Sequence, residues 1–352
     1  MAAAAWRQAE KMQRKRARIG GTKGIVSYDW SADSQSILVP LEGELYLARL
    51  DGQVTKLAAA AGPKLNAVIS PSGRFASYVQ DQNLVVMDLA SGTPKRVTQD
   101  GAGTVHWGEA EFVAQEEMDR STGYWWARDD SRVAVERFDE APVGVVTRAA
   151  IGAEGTNIYQ QRYPKAGTPN ALVELYVMRP DGSAKVKVDL GAETDIYLAR
   201  VDWSRDGKTL YVQRQNRDQT VLDVLAVDPA TGKSEVLFSE KSEAKSWINL
   251  SNALTPLDDG SLIWWSERDG HGHLYRFAKG KWTQLTKGDW AVEEVAAIDE
   301  KAHRIYFTGT AETPIEQQLY WVRYDRPSTP ARVTEAGWWN AVAMNDKASR
   351  AL

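Results

Sequence analysis

The sequence predicts an all-β protein, a β-propeller of four-stranded antiparallel blades with a short N-terminal helix. Three observations support this fold class. After Gly24, apolar and polar residues alternate in short runs, a pattern typical of strands. The same kind of polar turn recurs between the runs. The whole unit repeats at intervals of about 40 to 50 residues, as expected for blades built from four short strands.

The N-terminal segment has a different pattern from the rest of the chain. Residues 6–19 contain helix formers throughout and are followed by Gly20 and Gly21, which predicts one exposed helix that ends there. We therefore assign residues 1–21 to a helical segment and residues 22–352 to the propeller.

Turns rich in Asp, Ser and Gly separate the first two strands of each unit. Five of them are recognisable, at residues 30–36, 70–75, 126–132, 203–209 and 256–262. A later strand ends in a second polar turn, in the segments 45–52, 84–92, 175–182, 224–232 and 319–325. A plain β-sandwich does not repeat its turn chemistry so regularly, so the propeller is favoured.

Counting the repeats gives about seven blades, and residues 338–352 resemble the first strands of another. The units are approximately 24–58, 65–98, 103–150, 155–190, 195–238, 247–286 and 290–335. The third unit is longer than its neighbours because residues 109–124 are inserted between its first and second strands. Insertions on a rigid scaffold are where binding residues tend to lie.

The composition excludes several classes of protein. With 352 residues, 43% of them hydrophobic, the chain can bury a sizeable core, and its net charge of −4 argues against a nucleic-acid binder. No apolar run approaches the roughly 20 residues that a membrane-spanning helix needs. The stretch Met1–Ala5 is too short for the apolar core of a signal peptide, and the location of the protein is left open. The absence of cysteine excludes disulfides and thiol nucleophiles.

The insertion in the third unit carries two adjacent acids, Glu116 and Glu117. Adjacent side chains on a strand point to opposite faces, so a pair directed at one ligand requires an irregular segment outside the ladder. Two carboxylates this close repel each other unless a cation lies between them. A free α-amino group, with one positive charge and three N–H donors, suits such a site. The alternative is that both are solvated loop acids, as exposed charges usually are.

The residues around this pair resemble the N-terminal β-propeller of the dipeptidyl peptidase IV family. The resemblance depends on the double Glu, on Tyr124–Trp126 shortly after it, and on the segment Tyr163–Asn170 followed by a strand at 172–182. It implies an eight-bladed propeller whose first blade is missing here and whose last is cut short, which leaves the ring incomplete. It also implies that Glu116 and Glu117 bind the N-terminal ammonium of a peptide, and that residues 163–170 link one blade to the next.

The rest of the family's substrate pocket is less evident in this sequence. The hairpin that carries an arginine in vertebrate-type members is reduced here to residues 40–44, without arginine. The aromatic-arginine pair of the family is replaced by His271 and Gly272. We therefore expect a secondary subsite that is weakened or rebuilt from other residues. The candidates are Arg120, Arg214 and Arg268.

No catalytic residue is predicted in this chain. Hydrolysis requires a nucleophile, a base and an oxyanion hole, and the sequence has no Gly-x-Ser-x-Gly nucleophile elbow. In the family the Ser, Asp and His lie in an α/β-hydrolase domain after the propeller, so the resemblance implies that this chain alone is inactive. His271 and His273 could bind a metal in principle, but no third ligand has suitable spacing. We expect neither a metal nor a cofactor.

With the resemblance, these features predict the substrate-gating propeller of a dipeptidyl peptidase IV-like serine exopeptidase, which releases X-Pro or X-Ala dipeptides from the amino end of peptides. The expected partners are peptides with a free N-terminus, the α/β-hydrolase domain of the intact enzyme, and a second copy in a homodimer. One alternative is a stand-alone propeller that binds proteins or peptides without catalysis. Another is a relative of the acylaminoacyl peptidase and oligopeptidase propellers, which lack the paired-Glu arm.

Overall fold

Strands and turns make up almost all of the computed structural model, which describes residues 24–153, 155–242, 246–345 and 347–352. Those residues form 27 strands and one short helix. The predicted N-terminal helix, within residues 1–21, lies outside the described residues. The described residues divide into two units. The first holds residues 24–203 and 207–236, and the second holds residues 204–206 and 237–352.

Four antiparallel sheets follow one another through the first unit. The first sheet contains β1 (Asp29–Trp30), β2 (Ser36–Leu41), β3 (Glu44–Arg49) and β4 (Val54–Lys56). The second contains β5 (Leu65–Ile69), β6 (Phe75–Gln80), β7 (Asn83–Asp88) and β8 (Thr93–Arg96). The third contains β9 (Val105–Glu109), β10 (Thr122–Trp126), β11 (Val133–Asp139), β14 (Leu172–Met178) and β15 (Val186–Lys187). The fourth contains β16 (Ile196–Trp203), β17 (Leu210–Asn216), β18 (Val221–Val227) and β19 (Ser234–Lys241), the last of which extends into the second unit.

Two further four-stranded sheets lie in the second unit. One contains β20 (Thr255–Pro256), β21 (Leu262–Ser266), β22 (His273–Ala278) and β23 (Lys281–Gln284). The other contains β24 (Val292–Asp299), β25 (Arg304–Gly309), β26 (Gln318–Arg323) and β27 (Ala331–Arg332). In every four-stranded sheet the strands pair in chain order, which is the meander expected of a propeller blade.

The two middle strands of the second sheet, β6 and β7, are buried on both faces because neighbouring sheets pack against them. All six residues of β6 are buried, including the polar Ser77 and Gln80. One core cluster joins Val79 and Leu84 of the second sheet to Trp107, Tyr124 and Val133 of the third. Stacked sheets bury apolar side chains from two facing surfaces in this way. Large aromatic side chains such as Trp107 and Tyr124 are therefore part of the core.

The predicted polar turns also connect neighbouring sheets. Asp130, in the turn between β10 and β11, has a φ of 57°, which its short polar side chain tolerates better than a bulky one. Its carboxylate accepts a hydrogen bond from Ser70 Oγ at 2.5 Å and another from the backbone N–H of Ser72 at 3.1 Å. One turn of the third sheet is therefore fixed to the corresponding turn of the second.

The number of sheets differs from the predicted number of blades. The predicted units 103–150 and 155–190 together form the single third sheet, because β14 pairs with β11 from Val133–Met178 to Asp139–Leu172. The end of the first of these units and the start of the second instead form a separate two-stranded hairpin of β12 (Val145–Gly152) and β13 (Gly155–Arg162). The described residues therefore hold six sheets of four or five strands.

The position of the segment Tyr163–Asn170 changes accordingly. It joins β13 of the hairpin to β14 of the third sheet, and so does not link one blade to the next as the resemblance implied. The alternating pattern of residues 145–162 is that of a strand, but nearly all of their side chains are exposed or half-buried.

The predicted insertion interrupts the edge strand of the third sheet. β9 pairs with one half of β11, at 137–139, and β10 pairs with the other half, at 133–135. Glu136 lies between the two pairings. The chain leaves the sheet after β9 and returns at β10, and the residues between them include α1 (Phe112–Glu117), the one helix among the described residues.

Candidate functional site

Glu116 and Glu117 are the last two residues of α1. The helix begins after Glu111, whose carboxylate accepts hydrogen bonds from the N–H groups of Val113 at 2.5 Å and Ala114 at 2.8 Å. This cap satisfies backbone donors that the first turn of a helix leaves unpaired. Both glutamates are exposed. The pair thus lies on the insertion, outside the ladder of strands. Because successive residues on a helix point about 100° apart, the two side chains leave the helix in different directions.

A cavity of about 550 Å³ lies beside this helix. Its wall includes Gln115, directly before the acid pair, and Asp119, two residues after it, but neither Glu116 nor Glu117. The rest of the wall comes from the first two sheets and the start of β10. It contains Val26, Ser27, Tyr28, Asp29, residues 40–44, residues 64–68, Arg120, Ser121, Thr122 and Tyr124. The last turn of α1, which carries the two glutamates, therefore lies at the edge of the cavity.

Lys64 fixes the part of the cavity wall formed by the hairpin at residues 40–44. Its ammonium is buried and donates hydrogen bonds to the carbonyls of Gly43 at 2.5 Å, Ala60 at 2.7 Å and Gly62 at 2.8 Å. Burial lowers the pKa of Lys64, and the charge of Glu44 opposes that shift. The hairpin contributes acids to the wall and no arginine, as the sequence indicates.

Two further residues of the cavity wall, Asp29 and Tyr124, form hydrogen bonds to the second sheet. Asp29 accepts a hydrogen bond from the N–H of Ile69 at 2.7 Å, and burial raises the pKa of this carboxyl. The Tyr124 hydroxyl contacts the Asn66 carbonyl and donates to the carbonyl of Ser77 at 3.1 Å. Neither Asp29 nor Lys64 was among the predicted site residues, since a lone Asp or Lys in a polar stretch gives no sequence signal.

Arg120, a predicted subsite residue, lines the cavity, but its guanidinium is engaged within the protein. Nη1 contacts Glu136 Oε2 at 2.5 Å and donates to the carbonyl of Thr122 at 2.8 Å. Nη2 donates to the carbonyl of Leu198 in β16 at 2.8 Å. The side chains of Arg120 and Glu136 are 5% and 0% exposed. Burial raises the pKa of Glu136 to about 7, although Arg120 opposes the shift.

Arg214 and Arg268, the other two subsite candidates, are also paired. Arg214, in the first unit, donates to the Leu190 carbonyl at 2.5 Å and to Asp223 at 2.6 Å, and it is not among the residues that line the cavity. Arg268 belongs to the second unit. It is paired with Glu240, and its guanidinium lies over the ring of Trp282 at 4.1 Å. The secondary subsite assigned to Arg120, Arg214 and Arg268 stays a prediction.

His271 and His273 are the two histidines that we considered as candidate metal ligands. His273 is buried, with Nδ1 at 3.0 Å from Thr286 Oγ1 and Nε2 at 3.0 Å from the carbonyl of Gly288. Among the described residues there is no group of three His, Cys, Asp or Glu side chains placed to hold a metal ion. No helix in the described part of the chain is both long and apolar enough to span a bilayer.

The sequence matches the model of one protein family over residues 9–352. That model describes the "Dipeptidyl peptidase IV (DPP IV) N-terminal region". The chain belongs to the dipeptidyl peptidase IV family. The resemblance seen in the double Glu and the following aromatic residues is thereby confirmed, for the N-terminal region of the family.

Similar curated proteins carry names from the same family. A probable dipeptidyl peptidase 4 of Aspergillus flavus is 30% identical over 295 residues, which are 77% of this chain and 38% of that protein. Dipeptidyl aminopeptidase B of Saccharomyces cerevisiae is 27% identical over 289 residues, which are 76% of this chain and 35% of that protein. The chain therefore spans less than two-fifths of the length of these two relatives.

A solved structure confirms the fold class. The crystal structure of dipeptidyl peptidase 4 from Porphyromonas gingivalis superimposes with a TM-score of 0.82 at 22% identity, over 96% of this chain and 50% of that one. The predicted all-β propeller class, built from four-stranded antiparallel sheets, is thus confirmed in this member of the dipeptidyl peptidase IV family.

Proposed function

We propose that this chain is the substrate-gating and N-terminus-anchoring propeller region of a dipeptidyl peptidase IV-like serine exopeptidase. In this proposal Glu116 and Glu117 bind the free α-ammonium of a peptide that occupies the cavity beside α1. The α/β-hydrolase domain of the intact enzyme supplies the Ser, Asp and His that release an X-Pro or X-Ala dipeptide.

The observation that carries the proposal is the position of the acid pair. Gln115 and Asp119, on either side of the pair, line a cavity of about 550 Å³, which is within the usual size range of small-ligand pockets. An ammonium held by ionised carboxylates forms charge-assisted hydrogen bonds, roughly twice as strong as neutral ones. A receptor for the amino terminus at a fixed distance from a nucleophile determines which peptide bond is cut.

The acidic character of the cavity wall supports the same ligand. Asp29, Glu42, Glu44 and Asp119 contribute carboxyl groups to the wall. Its two cations, Lys64 and Arg120, already bond to backbone carbonyls and, for Arg120, to Glu136. A positively charged peptide terminus is therefore favoured there over a carboxylate.

A second copy of the chain is the proposed partner of the β12–β13 hairpin. The hairpin exposes 85% of Ile151 on β12 and 61% of Ile158 on β13, two large apolar side chains near its end. Exposed apolar groups that project from a sheet are typical of association surfaces. Dimerisation of the family through its propeller arm, implied by the resemblance, suits this hairpin.

The test of the proposed function compares two ligands that differ only at the amino end. We expect an Ala-Pro-Ala peptide to bind the 352-residue chain and its N-acetylated form to bind at least about tenfold more weakly, a difference of about 1.4 kcal/mol. Isothermal titration calorimetry measures both affinities.

Matched variants assign the discrimination to the acid pair. The double substitution Glu116→Gln and Glu117→Gln should abolish the preference for the free N-terminus. Glu293 and Glu294, an equally exposed pair of adjacent acids on β24, provide the control. The change of both to Gln should leave the preference intact. Equal affinity of the wild-type chain for both peptides would reject the proposed function.

A further inference from the structure

A buried ion pair, Arg120 with Glu136, lies where the edge strand of the third sheet is interrupted. β9 and β10 pair with the two ends of β11, and Glu136 lies in β11 between those pairings. The insertion that carries α1 leaves and re-enters the sheet at this point. Arg120, near the end of the insertion, reaches back to Glu136 with a contact of 2.5 Å.

The same guanidinium makes contacts with three parts of the structure. Nη1 also donates to the carbonyl of Thr122, the first residue of β10, at 2.8 Å. Nη2 donates to the carbonyl of Leu198 in β16, the strand against which α1 packs, at 2.8 Å. The carbon of the guanidinium lies 5.6 Å from the centre of the Trp125 ring. One side chain thus joins the insertion to β10, β11 and β16.

The short link between Arg120 and the acid pair makes these contacts relevant to the site. Glu117 is three residues before Arg120, and the backbone N–H of Arg120 donates to the carbonyl of Ala114 in α1 at 3.0 Å. A backbone hydrogen bond therefore connects the helix directly to the residue that carries the buried guanidinium. A planar guanidinium can bond to three oxygens in fixed directions, whereas a lysine ammonium has a different shape and reach.

We propose that Arg120, held by Glu136, is a positioning residue that sets the place of Glu116 and Glu117 at the edge of the cavity. The proposal rests on the proposed function for its ligand. It assigns Arg120 a role through its neighbours, in place of the direct contact with substrate that the sequence suggested. Breaking a buried ion pair leaves an uncompensated charge, so the insertion should shift or loosen when either partner is changed.

Two variants test the pair, and a third is their control. Arg120→Lys keeps the charge but lacks the forked donor set, and Glu136→Gln keeps the shape of Glu136 but removes its charge. Arg137→Lys is the matched control. Arg137 is adjacent to Glu136 in β11, but it pairs with Glu174, which lies outside the insertion, at a distance of 3.1 Å between Nη1 and Oε2. Thermal unfolding of each variant is measured first, to check that the variant folds.

The first measurement is hydrogen exchange and needs no ligand. We expect amide exchange in residues 112–121 to become at least tenfold faster in Arg120→Lys and faster in Glu136→Gln, with β11 and β16 still protected. Arg137→Lys should leave exchange in the insertion unchanged. Unchanged exchange in the insertion of both Arg120→Lys and Glu136→Gln overturns the positioning role.

The second measurement is the ratio of affinities for the free and N-acetylated Ala-Pro-Ala peptides. A general loss of stability does not change this ratio in the folded protein, but displacement of Glu116 and Glu117 does. We expect the ratio to fall towards one in Arg120→Lys and to keep its wild-type value in Arg137→Lys. A wild-type ratio in Arg120→Lys overturns the inference. A ratio of one in the wild-type chain rejects the proposed function, and hydrogen exchange then decides the positioning role alone.

Discussion

The imidazole of His106 stacks on the ring of Phe138, with the ring centres 4.6 Å apart and the planes 6° from parallel. The two residues are register partners on β9 and β11. The imidazole Nδ1 lies 3.3 Å from Glu109 Oε1 and Nε2 lies 3.3 Å from Glu140 Oε1. This histidine is therefore held between two carboxylates on an aromatic surface, close to the start of the insertion.

The first prediction is a loss of stability at alkaline pH that depends on His106. Burial lowers the pKa of His106, but the hydrogen bonds with Glu109 and Glu140 and the charges of these two carboxylates outweigh this effect and raise the pKa to about 9. Because the folded-state pKa lies above the unfolded value, the protonated ring contributes stability that is complete below about pH 6.5 and is lost as the pH rises through about 9. A shift of this size corresponds to about 3 kcal/mol.

Thermal unfolding of the wild-type chain and of His106→Gln, measured between pH 6 and pH 10, checks this prediction. The free energy of unfolding should differ most between the two proteins at pH 6 and should converge near pH 10. A constant difference across this range would show that His106 does not change protonation on unfolding.

The second prediction concerns Lys64 and the shape of the cavity. Lys64→Met keeps an unbranched chain but leaves the carbonyls of Gly43, Ala60 and Gly62 without their shared donor. Leaving buried acceptors unsatisfied costs about 1–3 kcal/mol, so the midpoint of urea unfolding should fall clearly. Lys56→Met is the control, because Lys56 is exposed and its pair with Glu44 is worth at most about 1 kcal/mol. Equal effects of the two changes would contradict the role of Lys64.

Much of the sheet structure followed from the sequence because each blade repeats its own local signals. The turn that contains Asp130 and the strand Leu84–Asp88 were placed by their residue types alone. Tyr124 and Trp126 lie on β10, in a segment that the sequence analysis used only for the family resemblance. The Tyr124 hydroxyl donates to the carbonyl of Ser77 on β6, and the Trp126 indole N–H donates to the hydroxyl of the same residue; strand signals do not specify these partners.

The extra hairpin was not predicted, because a period-2 pattern does not say what covers a strand. Residues 145–162 alternate as blade strands do, yet Ile151 and Ile158 are exposed. The ion pair of Arg120 with Glu136 was also missed, since it depends on where the edge strand breaks relative to β11. The helix at Phe112–Glu117 did have a signal, because Ala, Gln and Glu are good helix formers and Glu111 precedes them as a cap.

The third prediction is that the 352-residue chain does not hydrolyse peptides by itself. The sequence has no nucleophile elbow, and the proposed function assigns the reaction to the hydrolase domain. Incubation of the pure chain with Gly-Pro and Ala-Pro chromogenic substrates should release no chromophore above the blank. Turnover that a serine-directed inhibitor stops, and that persists after a further purification step, would contradict this prediction.

The fourth prediction tests the hairpin as a contact between two copies. Ile151 pairs with Thr156 and Ile158 pairs with Ala149 in the hairpin of β12 and β13, and both isoleucines are exposed, so a charge there changes the exposed surface without disturbing the third sheet. Ile151→Lys with Ile158→Glu should shift the protein from dimer to monomer in sedimentation velocity, while the midpoint of thermal unfolding changes little at low concentration. Thr147→Lys, also on β12, is the control and should retain the dimer. A wild-type chain that sediments as a monomer at all concentrations would reject the hairpin as a dimer contact of this chain.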